Sequence, residues 1–266
     1  MMVKDFQGLH VVVTGASSGL GQSIAMGAAR RGAKAVALTY STNLAGAEET
    51  AAAVRDFGAE AVVVKCDVAE DAECRAVAEA LSGWQRIDAL FNNAGMTVFA
   101  ADHANLAAVS SDDFLNIYRV NVVGAFQMIR ACQPLLEAAS GIAAVVNTSS
   151  IAGVWGIGSS VPYAASKGAM NTMTLSLARA LAPKIRVNAI CPGFIDTPWF
   201  DKGPQASVRE RLREGVAKAT PLQVASGPDD IADAALVLGS PLTRHMTGET
   251  VLVDAGTHLG PPARLR

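Results

Sequence analysis

Tyr163 and Lys167 stand four residues apart in YAASK, a spacing that brings both side chains to one face of a helix. A free phenol ionises near pH ~10, too high for efficient proton exchange at neutral pH, and a neighbouring ammonium favours the phenolate. Each unit of lowering takes ~1.4 kcal/mol of differential stabilisation, so a lysine is the useful neighbour for a proton-transferring tyrosine. Tyr and Lys also meet by chance on ordinary surface helices. The pair gains meaning only from its surroundings.

A second group of residues suits phosphate. The segment VVVTGASSGLG, residues 11–21, runs an apolar strand into Gly15, Gly19 and Gly21 and then into the helical pattern QSIAMGAARRG. Glycines there permit a tight turn and let backbone N–H groups and a positive helix end meet a pyrophosphate. The spacing is Gly-x-x-x-Gly-x-Gly, and taken alone it is equally well loop chemistry. Three more segments add weight: Asp67, placed to accept from an adenine amino group, NNAG at 92–95, and Pro192–Gly193. Each follows a predicted strand, and the C-terminal ends of strands are where open α/β sheets bind ligands.

The elements that must position these residues alternate along the whole chain. Predicted strands cover Leu9 to Thr14, Ala35 to Tyr40, Ala61 to Lys65, Ala89 to Asn92, Ala143 to Thr148, Arg186 to Ile190 and Thr250 to Val253. Helices are expected to open near Gly19, Ala45, Glu70, Asp112, Pro162 and Pro228, the last favoured by proline in the first turn followed by Asp229 and Asp230. Repeated βα units imply a parallel sheet. No linker or repeat divides the 266 residues, so one domain over 1–266 is expected, with an irregular, substrate-binding stretch within it at 196–227.

Composition excludes several classes. Half the residues are apolar, and 22 basic against 24 acidic side chains give a formal charge of -2 with no basic stripe, which argues against nucleic acid. No apolar run approaches the ~18 residues of a membrane span, and Cys66, Cys74, Cys132 and Cys191 lack CxxC spacing, which fits reduced thiols and a cytoplasmic setting. His10, His103, His245 and His258 are scattered; they read as loop or surface residues, and no metal site is expected.

Together TGASSGLG, NNAG, Asn121 in NVVGAF, Ser150 in NTSS, YAASK and the PG turn resemble, in order and spacing, the short-chain dehydrogenase/reductase family, and its 3-oxoacyl-carrier-protein reductase-like members in particular. The resemblance runs from Leu9 to Asp254. It implies a doubly wound α/β Rossmann-type domain with a seven-stranded parallel sheet ordered 3-2-1-4-5-6-7, and a catalytic tetrad of Asn121, Ser150, Tyr163 and Lys167. Ser150 is preferred to Ser149 because the family's serine usually lies thirteen residues before the tyrosine. In that scheme Ser150 holds the substrate oxygen, Tyr163 transfers the proton, and Lys167 binds the nicotinamide ribose. Lys167 and the positive nicotinamide ring would lower the tyrosine pKa by two or three units, and Asn121 would hold a water linking Lys167 to solvent. Cofactor contacts carried over are Gly15, Ser17, Ser18, Gly19, Leu20 and Gly21 in the first turn, Asp67 and Val68, Asn93, Ala94 and Gly95, then Pro192, Gly193, Ile195 and Thr197. A homotetramer or homodimer is also implied, through the long helices around Phe126 and Thr174 and the last strand.

Cofactor choice normally rests on an acid or a base near the end of the second strand, and residues 35–47 hold neither. Thr39, Tyr40 and Ser41 offer hydroxyls, which accept a phosphate better than they replace a carboxylate, so NADP(H) is favoured over NAD(H). The expected pocket walls are 95–99, 151–157 and 194–200, with Met96, Val98, Phe99, Val154, Trp155, Ile157, Trp199 and Phe200 but few charges, which suits a small apolar carbonyl or alcohol. A 3-oxoacyl-carrier-protein reductase is the neighbouring alternative, and a cofactor-binding regulatory protein without catalysis is the alternative of another class.

Overall fold

The computed structural model describes residues 4–197, 199 and 209–262. Its strands are β1 (His10–Val13), β2 (Ala35–Tyr40), β3 (Glu60–Lys65), β4 (Ala89–Asn92), β5 (Ala143–Thr148), β6 (Ile185–Pro192) and β7 (Thr250–Val253). All pair in parallel in one sheet of order β3-β2-β1-β4-β5-β6-β7, as the family resemblance implied. Each inner strand is buried on both faces, so its residues alternate between two apolar layers. In β1, Val11 and Val13 enter a layer with Leu20 and Ile24 of α1 (Gly19–Arg30), Val54 of α2 (Leu44–Asp56) and Leu236 of α9 (Pro228–Gly239). Val12 points the other way, among Val77 of α3 (Asp71–Ala80), Met128 and Leu136 of α5 (Ala125–Glu137) and Ala178 of α7 (Val161–Leu181).

Local chemistry sets the helix starts near the cleft. Ser110 and Asp113 form a reciprocal capping box that opens α4 (Ser111–Tyr118). Ser160 accepts from the Tyr163 N–H and Pro162 occupies the first turn of α7, so the tyrosine sits at a firmly held helix start. Between α4 and α5 the chain runs through a π-helix, Arg119–Gly124, which carries Asn121. Such bulges cluster at functional sites because they re-aim a side chain without ending the helix. The short α6 (Ala152–Trp155) crosses α7 at Gly153, where a Cβ would lie 2.4 Å from the Lys167 carbonyl carbon. Only glycine lets the two backbones meet this closely.

The expected strands all appear, with β6 extended at both ends and β1 shorter at both. Of the expected substrate stretch 196–227, residues 198 and 200–208 lie outside the described residues, and α8 (Arg209–Ala219) is a helix that was not expected there. That helix buries none of its residues and so shows no core-facing stripe. Glu210–Arg213 and Glu214–Lys218 ion pairs along its surface support it. Among the described residues no helix is long and apolar enough to cross a membrane, and all four cysteines are buried and unpaired.

Candidate active site

The C-terminal ends of β1, β4, β5 and β6 converge on a cleft of about 300 Å³. Its two halves are tied by Thr14, whose hydroxyl accepts from the Asn93 and Ala94 N–H groups at 2.9 and 3.0 Å. Asn93 answers by donating its amide to the Thr14 and Gly15 carbonyls, both at 3.1 Å. The glycine turn is therefore held against NNAG. Gly15 has φ +64°, and a Cβ on Gly21 would lie 2.3 Å from the Gly15 carbonyl oxygen, so the turn closes only without side chains. Ser18 caps α1 without a side-chain hydrogen bond, and the first turn of α1 has no acid. The N–H groups there are left for an anion, which is what a pyrophosphate needs. The residues present thus fit a dinucleotide.

Tyr163, Ser150 and Lys167 line the far half of the cleft. Lys167 is buried; its Nζ donates to the Thr148 carbonyl at 2.7 Å and lies 5.6 Å from the centroid of the Tyr163 ring. Ser150 stands beside the Tyr163 hydroxyl, where it draws the phenol pKa down. Ser149, by contrast, is buried and donates to the Lys167 carbonyl at 3.1 Å, so of the two serines Ser150 is the half-exposed one beside the phenol. Asn121 is wholly buried behind Gly95: its Oδ1 accepts from the Met96 N–H at 2.8 Å, and its Nδ2 donates to the Met96 carbonyl and Ser166 hydroxyl at 3.0 Å each. The amide staples the strand-end segment to α7.

In the free protein burial dominates the acidity of both Tyr163 and Lys167. Burial pushes Tyr163 up to about 12, only partly opposed by Ser150. Burial also pushes Lys167 down to about 8. The ammonium stands by the ring, its Nζ held by the Thr148 carbonyl. Desolvation of both groups outweighs their mutual effect.

The first-turn residues Gly15, Ser17, Ser18, Gly19 and Leu20 all line the cleft, as do Asn93, Ala94 and Gly95, and Pro192, Gly193, Ile195 and Thr197. Gly21 lies beneath the turn, and Asp67 and Val68 stand beyond β3, where Asp67 accepts from the Ala69 N–H at 3.0 Å. Thr39 departs from its expected place: it is fully buried, and its hydroxyl finds no partner among the described residues. The pleat turns it into the sheet, leaving half-buried Tyr40 and exposed Ser41 at the strand end. Trp199 lines the cleft with its ring 6.3 Å from Tyr163. Phe200 lies outside the described residues. Met96, Val98 and Phe99 are half-buried, and Val154, Trp155 and Ile157 are exposed, all outside the cleft proper.

Sequence reasoning missed Thr148 and Ser149 as cleft residues, and also a buried polar chain beneath them. Asn92 donates to Asn147 at 2.9 Å, and Asn147 to Thr174 at 3.0 Å, linking β4, β5 and α7. The available signal was asparagine at the last or next-to-last position of apolar strands, because a buried amide must find a partner.

Residues 15–258 match a family model described as enoyl-(acyl carrier protein) reductase. A ketoacyl reductase of the granaticin polyketide synthase of Streptomyces violaceoruber is 41% identical over 93% of this chain and 95% of its own. A 3-oxoacyl-[acyl-carrier-protein] reductase of Staphylococcus aureus is 32% identical over 93% and 97%. A crystal structure of a short-chain dehydrogenase/reductase from Burkholderia xenovorans superposes with a TM-score of 0.85 at 39% identity, covering 95% of this chain and 99% of that one. With a parallel sheet in the implied order, a glycine turn open to a pyrophosphate and a tyrosine-lysine cleft beside it, this chain belongs to the short-chain dehydrogenase/reductase family of NAD(P)-dependent oxidoreductases acting on carbonyl and hydroxyl groups.

Proposed function

We propose that the protein interconverts a small, largely apolar ketone and its secondary alcohol, with Asn121, Ser150, Tyr163 and Lys167 as the working tetrad. The observation that carries this reading is that Tyr163, Ser150 and Lys167 share one cleft with the glycine turn. When bound, the nicotinamide cofactor supplies or removes the hydride at the reacting carbon. Ser150 hydrogen-bonds the substrate oxygen, and Tyr163, a phenol at neutral pH, gives that oxygen its proton as the carbonyl becomes an alcohol. Lys167 holds the ribose from a position set by the Thr148 carbonyl. Asn121 keeps Gly95 and Met96 in place, and, as the family resemblance implies, would hold a water linking Lys167 to solvent. The whole chain acts as one cofactor-binding and catalytic unit in the cytoplasm, with 196–227 as its substrate loop.

NADP(H) is the favoured cofactor, because the exposed end of β2 carries Tyr40 and Ser41 and no carboxylate to repel a 2′-phosphate. Asn43 is engaged as the cap of α2, accepting from the Gly46 N–H at 3.0 Å. A carrier-delivered acyl substrate is the second reading, favoured by the names of two relatives. Against it, Arg130 is committed to Asp71 and lies over the Phe126 ring, which leaves less free positive charge to steer an acidic carrier. The deciding experiment measures kcat/KM for simple aryl and alkyl ketones and for an acetoacetyl-carrier substrate, with NADPH and NADH, at low and moderate salt. The expected result is faster turnover of free ketones with NADPH, and an NADH preference in Ser41→Asp. A carrier preference that fades with salt, or a wild type that prefers NADH, overturns the corresponding part.

A homotetramer or homodimer completes the proposal. Exposed Phe126 on α5 and Leu175 on α7 supply apolar surface beyond the core-facing stripes. Sedimentation at micromolar concentration is expected to show no 27.4 kDa species; a purely monomeric boundary would refute assembly.

A further inference from the structure

Trp199 reaches the cleft on a segment that is tied down at several points. Ile195 pairs with Ser226 as a parallel bridge, and the Asp196 N–H donates to the Ser226 carbonyl at 2.9 Å. The Asp196 carboxylate meets the Arg209 guanidinium of α8 at 2.7 Å. Thr197 then accepts the Trp199 N–H on its hydroxyl at 3.4 Å, while its methyl packs over the phosphate turn, where a Cβ on Gly19 would lie 3.3 Å from Cγ2. Ile195, Thr197 and Trp199 all line the cleft. The indole is thus presented to the site in advance, which reduces the cost of ordering it around a ligand.

That indole meets the proton-transferring residue. Its ring centroid lies 6.3 Å from that of Tyr163, within the span of aromatic contacts, and the two planes are inclined at 54°. Planes set at such an angle open a wedge between them, where stacked rings would leave none. Trp199 is half-buried, so its ring keeps accessible surface, and Tyr163 and Trp199 are the only aromatic residues among the described ones lining the cleft. Lys167 is the only charged residue among them, so nothing there calls for an ionic substituent on the substrate.

We propose that Trp199 is a specificity-determining residue whose indole receives a flat, uncharged aryl group bonded directly to the reacting carbonyl, in preference to a saturated group of the same size. This rests on the proposed ketone chemistry and narrows it to aryl ketones. With the carbonyl oxygen between Ser150 and Tyr163, the group next to that carbonyl comes against the tryptophan. A flat ring meets an indole over a broad area, offset or edge-on, and gains from the complementary charge of ring face and ring edge. A puckered ring touches the same surface through a few hydrogens and gains only from burial.

The test compares acetophenone with cyclohexyl methyl ketone, which keeps the carbon skeleton and loses the flat ring. kcat/KM is measured for both, with NADPH and with NADH, in wild type, Trp199→Leu and Trp199→Phe. Conjugation slows the aryl carbonyl alike in all three, so the change in the aryl-to-cyclohexyl ratio carries the result. Trp199→Leu is expected to lower that ratio about fivefold, the size of one aromatic contact beyond area burial, and Trp199→Phe to keep it within about twofold of wild type. Binding without turnover is followed by saturation-transfer NMR of both ketones in Tyr163→Phe, alone and combined with Trp199→Leu, and the same loss of discrimination is expected. A ratio unchanged in Trp199→Leu, or both ketones weakening in parallel, overturns the inference and leaves Trp199 as a cover over Tyr163. Trp199-dependent discrimination in binding, without reduction by wild type, upholds this site while refuting the proposed reaction. Binding of neither ketone refutes both.

Discussion

Tyr163→Phe is expected to lower kcat at least ~10³-fold, a barrier increase of ~4 kcal/mol, while cofactor affinity stays within about threefold of wild type. The substitution removes one hydroxyl and keeps the ring that packs near Trp199 and Lys167. Because burial holds the phenol up at about 12, the group is fully protonated at neutral pH and ready to donate in the reducing direction. In the oxidising direction the phenolate is needed, so kcat/KM for the alcohol is expected to rise with pH. Steady-state rates in both directions, with cofactor titrations of wild type and variant, check this. Residual turnover above about a tenth of wild type, a barrier change under ~1.4 kcal/mol, would remove Tyr163 from the proton transfer.

Lys167→Met is expected to be less active and more stable. Its ammonium is buried and pushed down to about 8 from an ordinary value of 10.5. Below pH 8 the lysine is charged in both the folded and the unfolded chain, and the folded state bears the full desolvation cost, roughly 3 kcal/mol. Between pH 8 and 10.5 the unfolded chain binds the extra proton, so wild-type stability should rise with pH across that window and level off above it. Methionine has no charge to desolvate, though it leaves the Thr148 carbonyl without its donor, which offsets part of the gain. Urea unfolding at pH 7 is therefore expected to show the variant about 2 kcal/mol more stable, with the difference shrinking towards pH 10.5. Turnover is expected to fall at least ~10²-fold. A variant less stable than wild type at pH 7 would show that the ammonium is not held at a cost. Stability given up at a working site in this way is a familiar exchange.

Much of this architecture was legible in the residues themselves. Apolar runs of strand length between amphipathic segments mark the sheet, because a strand buried on both faces must be apolar throughout. The strand order came from the family resemblance, since periodicity names the elements but not their neighbours. Helix α8 escaped notice because surface ion pairs, not a buried stripe, support it. Thr39 was misplaced for a different reason: position along a strand is readable, whereas the face that a terminal residue presents depends on the pleat.

What the sequence determined by itself was the chemistry at hand: a glycine turn for phosphate and a tyrosine with its lysine at helical spacing, because both depend on neighbours within a few residues. Only the tertiary structure decided how those groups behave. Tyr163 and Lys167 move apart in acidity because residues far along the chain exclude water from both, and desolvation is set by the whole surrounding volume. Asn121 becomes a staple because a π-turn aims it at Met96, 25 residues earlier. Asp254 is brought against Gly193 at the cleft because β7 pairs with β6, a contact that no local pattern encodes.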